Sequence, residues 1–194
     1  MMALLLIVGA GLLWLPEKIS AEAYKAAFAA FESYRRAHPA ERYRYFAVVD
    51  FSKPSYLKRM VVIDLVSREE FFFLVAHGKN SGELYATRFS NTPGSEMSSQ
   101  GLFKVLDAYI GDHETAVRLE GLEPSVNGNA FSRDIVLHSA DYVSVGYVLL
   151  NLVTFNGPRI GRSNGCFVVS PDAIDEVTQQ LSRKGLLYAW SGQP

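Results

Sequence analysis

From Tyr43 onward the chain is written in short runs of aromatic and β-branched residues separated by turn-formers, and this texture restricts the fold more than any other feature. Tyr43 to Phe51 (YRYFAVVDF) is broken by Ser52-Lys53-Pro54-Ser55. Arg59 to Val66 (RMVVIDLV) and Glu70 to Ala76 (EFFFLVA) flank Ser67-Arg68-Glu69, a connection of hairpin length. Gly101 to Ile110 and Thr115 to Leu122 make a second pair around Gly111-Asp112, and Arg133 to His138 is a further strand. Phe89 to Gln100, with Asn91-Thr92-Pro93-Gly94-Ser95 inside it, reads as a loop. Many strands joined by short connections describe an α+β domain dominated by an antiparallel sheet.

Helical periodicity is confined to the ends. Over Ser20 to Ala37, Tyr24, Ala27, Phe28, Phe31 and Tyr34 fall on one face, while Glu22, Lys25, Glu32 and Arg36 lie mostly elsewhere. Ser20 is a cap and His38-Pro39 a stop. The aromatic stripe reads as core rather than as a ligand platform. Near the carboxyl end Ser170 caps, Pro171 takes the first helical position, and Ile174, Val177 and Leu181 mark one face up to Gly185. Leu186 to Trp190 is a last strand. Val143 to Phe155 is apolar enough for a short helix or a strand, and its pattern does not choose between them.

The chain divides into an apolar segment over 1–19, a helix over 20–42 and the main domain over 43–194. Its 194 residues suit one such domain with a real core. A formal net charge of -1 gives no basic excess, so nothing in the charge points to nucleic acid or to an anionic membrane surface.

Met1 to Leu15 is unbroken apolar or glycine sequence, halted by Pro16-Glu17-Lys18. It is shorter than the roughly 20 residues of a spanning helix and matches the apolar region of a secretory signal. Ser20-Ala21-Glu22-Ala23 offers small residues for cleavage, but no Lys or Arg precedes the run. Export to the periplasm or cell envelope is the expectation, with the segment cleaved or kept as a membrane tether. A helix buried in the domain is the alternative.

Cys166 is the single cysteine, in Gly161-Arg162-Ser163-Asn164-Gly165-Cys166. A free cysteine often packs as a small inert hydrophobe. Here it follows Ser-Asn-Gly, a turn-forming stretch that seldom leads into the middle of a core. Thiol catalysis needs a base within hydrogen-bond reach and donors aimed at the oxyanion. Gly165 lets backbone approach a substrate carbonyl, and the amides of Gly165 and Cys166 are candidate donors; a glycine needed only for a turn is the plain alternative. Four histidines compete as base. His38 sits beside Pro39 at a helix end, and His113 follows Asp112. His77 (Val75-Ala76-His77-Gly78) and His138 (Val136-Leu137-His138-Ser139) have nearly the same setting, a strand meeting a loop, and composition does not separate them. No histidine pair has helical or hairpin spacing and there is no second cysteine, so no metal site is expected.

A strand-end histidine, then Ser-x-Gly-Cys, then a short apolar strand resembles the L,D-transpeptidase catalytic domain of the YkuD-like fold. Further segments resemble its murein L,D-transpeptidase branch: Val75 to Gly82, Phe89 to Ser95, Arg118-Leu119-Glu120-Gly121-Leu122, and Ile135 to Val143. The resemblance spans roughly Tyr43 to Trp190. It implies an α+β, mainly antiparallel β-sandwich with an N-terminal and a C-terminal helix. By the same resemblance, Cys166 is the nucleophile and His138 the base, oriented by the backbone carbonyl of Ser139 rather than by a carboxylate. Ser163 and Gly165 match the Ser-x-Gly-Cys motif, and Arg162, Ser163, Asn164, Thr92, Pro93 and Gly94 fall at substrate-binding positions. The chain departs from many relatives at Asn164, where they have histidine, at Val168, where they have Asn or Arg, and in a longer stretch between His138 and Ser163.

The implied reaction is acyl transfer on peptidoglycan stem peptides, at the amide joining a diamino acid to a terminal D-alanine, with no cofactor. Transfer then goes to an amine or to water. Another cell-wall cysteine peptidase or L,D-carboxypeptidase is the rival enzyme, although papain-like enzymes place cysteine before histidine. A catalytically idle wall-binding domain is the non-enzymatic rival.

Overall fold

The computed structural model describes residues 19–111 and 114–192. The apolar run Met1 to Leu15, with the export expectation that rests on it, lies outside the described residues, as does His113. Among the described residues no helix is long and apolar enough to cross a membrane.

In chain order the elements are α1 (Ala21–Ala37), β1 (Tyr45–Asp50), β2 (Met60–Asp64), β3 (Glu70–Phe73), β4 (Gly101–Gly111), β5 (Glu114–Gly121), β6 (Val136–Ser139), α2 (Val145–Val153), β7 (Phe167–Val169), α3 (Ile174–Leu181) and β8 (Gly185–Trp190). The strands form one eight-stranded sheet in the order β3-β2-β1-β8-β4-β5-β6-β7. Only β1–β8 and β6–β7 pair in parallel; the other pairings are antiparallel. The sheet curls until its ends meet, because Ala76, just past β3, donates its N–H to Val168 O in β7 at 2.8 Å.

One face of the curled sheet lines the main core, where Phe167 of β7 stacks on Phe51 at 5.9 Å and meets Phe103 edge-on at 5.5 Å. Strands from both sides thus face each other across an apolar interior, closed at one end by Ile174, Val177 and Leu181 of α3. This is the α+β, mainly antiparallel fold that the strand texture implies, arranged as the sandwich that the resemblance implies.

The opposite face of β1 is also covered. Val48 and Phe46 alternate with core-facing Ala47 and Val49, and they pack beneath α1. Ala23 and Ala27 are wholly buried there, and their small side chains bring the helix close enough for Phe31 to reach the Phe46 ring at 4.9 Å. Ser20 fixes where the helix starts. Its Oγ accepts the Ala23 N–H at 3.2 Å and donates to Asp50 Oδ2 at 2.7 Å, tying the cap to the end of β1.

Several boundaries differ from those read in the sequence. β3 ends at Phe73 because Val75 and Ala76 turn toward β7, and the Val75 carbonyl is taken by the buried Arg59 guanidinium instead of a strand partner (3.1 and 3.0 Å). β6 begins at Val136, not Arg133, because the chain before it is wound into turns that close with Asp134 at a φ of 52°. α3 begins at Ile174: Ser170 and Pro171 open a turn, with the Ala173 N–H on Ser170 O at 3.0 Å. The ambiguous stretch Val143 to Phe155 contains α2, capped by Ser144, whose Oγ accepts the Tyr147 N–H at 3.2 Å.

Candidate active site

Cys166 closes the loop that enters β7, and the loop is held by its own serine. Ser163 Oγ accepts the Gly165 N–H at 3.1 Å and donates to Cys166 O at 2.7 Å. A serine at this spacing clamps the turn from inside. Gly165 has a φ of +126°, and a Cβ there would stand 2.9 Å from both Met97 O and Ile135 Cδ1, so glycine is required on conformational and steric grounds. A second tie comes from Ser98, whose Oγ donates to Gly165 O at 3.1 Å and accepts the Gly78 N–H at 2.9 Å. The Lys79 N–H donates to Ser163 O at 2.7 Å and the Ser163 N–H to His77 O at 2.9 Å, so residues 77–79 brace the loop along its length.

The sulfur is half-buried. Its thiol donates to Asp134 O at 3.5 Å, and the amides of Val136 and of Cys166 itself face it. Burial pushes the thiol pKa above its ordinary value, while those amides and the nearby Arg133 guanidinium pull the other way. Arg133 also ties down the preceding loop, donating to Ser99 Oγ at 2.6 Å, Ser95 Oγ at 3.1 Å and Met97 O at 2.7 Å.

His138 lies on β6 and is 3% exposed. Its Nδ1 is 2.9 Å from Ser139 O. A carbonyl oxygen can only accept, so Nδ1 carries a proton, and in the neutral ring the lone pair is then on Nε2. The parallel register pairs Leu137 with Phe167 and His138 with Val168. Leu137, Phe167 and Val169 enter the core, so His138, Val168 and Cys166 share the opposite face of adjacent strands. The Cα atoms of His138 and Cys166 are then separated by the diagonal of one strand spacing and a two-residue rise, about 8 Å. Tyr142 packs with Cys166 and Val168 on this face, and burial raises its pKa to about 12.

His77 points the other way. It is completely buried, meets the Phe51 ring edge-on at 6.3 Å, accepts from Arg59 Nη2 on Nδ1 at 2.6 Å and donates from Nε2 to Gly82 O at 3.2 Å. Burial and the Arg59 charge push its pKa down to about 3. His38 is exposed and stacks on Tyr34 at 4.1 Å.

Of the remaining positions singled out in the sequence, Asn164 is exposed at the tip of the cysteine loop. Arg162 is committed to Glu83 Oε1 at 2.6 Å and to the carbonyls of Lys79 and Gly82. Thr92, Pro93 and Gly94 form an exposed turn, with the Ser95 N–H on Thr92 O at 3.3 Å. The contacts to the cysteine loop come from Met97 and Ser98 further along that segment. Ser98, Arg133, Asp134 and Tyr142 were not marked by sequence reasoning. Each reaches the loop through long-range packing that no local spacing announces. No group of three or more His, Cys, Asp or Glu among the described residues could hold a metal ion.

With this geometry in place, a family profile described as the L,D-transpeptidase catalytic domain matches residues 16–190. The chain belongs to that family. The match takes in α1 and every strand of the sheet, so the helix ahead of Tyr43 lies within the L,D-transpeptidase region. The protein is therefore an L,D-transpeptidase-family enzyme, of a family that acts on the peptidoglycan of the cell wall. Comparison with curated proteins and with solved structures gave no match.

Proposed function

We propose that the protein is a cysteine-dependent L,D-transpeptidase working on peptidoglycan stem peptides in the cell envelope, with Cys166 as nucleophile and His138 as base. The observation that supports this most is the placement of the two side chains on one face of neighbouring strands, with His138 fixed in the Nδ1–H tautomer by Ser139 O. That tautomer presents the basic nitrogen a thiol proton requires.

In the proposed mechanism the Cys166 thiol passes its proton to His138 Nε2 as the sulfur adds to the carbonyl carbon between the diamino acid and the terminal D-alanine. Burial favours the protonated sulfur, which suits a proton transfer that accompanies attack. The Cys166 amide is one donor to the oxyanion. The Gly165 amide donates to Ser163 Oγ, and serves as the second donor when the oxyanion replaces that acceptor. Collapse breaks the C–N bond, His138 returns its proton to the departing D-alanine amine, and an acyl-enzyme thioester remains. An amine of a second stem, or water, then attacks the thioester and regenerates the thiol.

Incubation of the full chain with tetrapeptide muropeptides, followed by mass spectrometry, tests this reading. Release of D-alanine with cross-linked or shortened stems, and trapping of an acyl adduct on Cys166, are expected. Unchanged muropeptides, or turnover that persists in Cys166→Ala, would overturn it.

A further inference from the structure

Two arginines beside the cysteine loop share one carboxylate. Arg162 Nη1 meets Glu83 Oε1 at 2.6 Å, and Arg159 Nη1 meets Glu83 Oε2. The exposures are opposite: the arginine side chains are 17% and 24% exposed, whereas Glu83 is 64% exposed. Each cation also has its own backbone anchor. Arg159 Nε donates to Asn156 O at 3.0 Å, and its own carbonyl is gripped by Asn151 Nδ2 of α2 at 2.8 Å. Arg162 Nη1 donates to Lys79 O at 3.1 Å and Gly82 O at 3.2 Å. If Glu83 swings into solvent, both guanidiniums stay where they are and keep a forked set of donors. Glu83 is the carboxylate that both guanidiniums pair with, so its departure leaves their two positive charges side by side. Fixed guanidiniums with little exposure, served by one mobile carboxylate, describe a receptor for carboxylate in general.

We propose that Arg159 and Arg162 form a carboxylate-binding clamp that Glu83 occupies and that a carboxylate of the stem peptide takes over on binding. This rests on the transpeptidase reading for the identity of the ligand. Arg162 lies four positions before Cys166 in the sequence, so their Cα atoms are at most about 14 Å apart, the reach of an extended tetrapeptide. A stem peptide with its scissile carbonyl at the sulfur therefore has the length to place another of its carboxylates on the clamp. Glu83 then acts as a tethered competitor: it keeps the arginines organised and sets the affinity that a true ligand must exceed.

The test is calorimetric titration of a tetrapeptide stem, and of the same peptide with its carboxylates amidated, into full-length protein carrying Cys166→Ala so that no turnover occurs. Adding Glu83→Gln removes the competitor and is expected to tighten binding of the carboxylate peptide several-fold, with little change for the amide. Adding Arg159→Gln is expected to weaken the carboxylate peptide about tenfold or more, the worth of a charge-assisted hydrogen bond, and to spare the amide. Glu83 is exposed, so its variant decides the matter even where Arg159→Gln lowers the melting temperature. Unchanged affinity in Glu83→Gln, or equal losses for both peptides in Arg159→Gln, overturns the clamp. D-alanine release by the otherwise native protein is measured separately. Loss of release with carboxylate-dependent binding intact overturns the reaction and keeps the clamp, and normal release with no dependence on Glu83 overturns the clamp alone.

Discussion

Arg59 Nη2 donates to His77 Nδ1 at 2.6 Å in a part of the core where both side chains are completely buried. The same guanidinium caps Val75 O and donates to Lys53 O at 2.9 Å, and burial lowers its pKa to about 9. A cation this deep is tolerable because each of its nitrogens meets an acceptor, and a neutral imidazole nitrogen is one of them. The pair therefore fixes His77 as a structural residue. Its backbone carbonyl supports the cysteine loop through the Ser163 N–H, while its ring serves the interior.

This assigns an acid sensitivity to His77. Its folded pKa of about 3 lies below that of an unfolded histidine, near 6.5, so on acidification the unfolded chain takes up a proton that the folded chain refuses. Folding stability is then lost as pH falls through that window and is fully present above it. For one proton the slope is about 1.4 kcal/mol per pH unit between roughly pH 6 and pH 4. Urea melts across this range should show that slope shrinking by about this amount in His77→Gln. An unchanged slope would mean that His77 titrates freely.

His138→Ala and Cys166→Ala should behave as a pair, and differently from any change at His77. Each is expected to remove D-alanine release and cross-linking, by at least about a thousandfold, while moving the melting temperature by no more than a few degrees. His77→Ala leaves a buried guanidinium short of an acceptor and should cost several degrees or prevent folding. Muropeptide turnover and thermal melts on the three variants check this. A fully active, well-folded His138→Ala would remove that residue from the base role.

The two histidines also show where local sequence stops being informative. Their settings match, yet His138 lies beside β7 on the sheet face opposite the main core and His77 points inward toward Phe51, a distinction made by strand pairing and by Arg59, which lies in the run Arg59 to Val66 and gives no local sign of its role. Elements with strong periodicity were legible: α1 from its aromatic stripe, and the strands from their β-branched runs. α2 was not, since a stretch apolar on nearly every side has no face to reveal, and its Ser144 cap is visible only once the helix is known. The start of α3 was misplaced because Ser-Pro opens a turn as readily as a helix. In the candidate site, Ser163, Gly165 and Cys166 stood out by their turn chemistry. Ser98 and Arg133 did not, because what they do depends on which loop packs against them.

The sulfur should titrate late. Burial outweighs the Val136 and Cys166 amides and Arg133, and holds the thiol above the ordinary range near 8.5. Alkylation by iodoacetamide should be slow at neutral pH and rise with a midpoint above that of free cysteine. Arg133→Gln, by removing a positive charge that favours the thiolate, should move the midpoint higher still. A midpoint well below 7 would show instead that the resting protein stores a thiolate paired with protonated His138, and the concerted proton transfer proposed above would fall.

Gly165→Ala tests how tightly the cysteine loop is built. At a φ of +126° an added Cβ is strained, and it would press on Met97 O and Ile135 Cδ1 at 2.9 Å, one of them backbone. The loop must shift, and with it the adjoining sulfur and the amides proposed as oxyanion donors. If Cys166 is the nucleophile proposed above, a displacement on the order of 1 Å costs about a hundredfold in rate. Gly157 supplies the comparison: its φ is +80°, also left-handed, but a Cβ there meets nothing within 4 Å. Gly157→Ala should therefore lose about as much stability from backbone strain alone, roughly 1–2 kcal/mol, and keep its turnover. Both variants go through urea melts and D-alanine release assays side by side. A stability loss in both variants, larger at Gly165 where the clash adds to the strain, with a rate defect only at Gly165 would show that the geometry of this one turn, and not general loosening, sets the reaction rate. Full turnover in Gly165→Ala would mean that the loop tolerates the shift and that the close fit against Met97 is incidental to the chemistry.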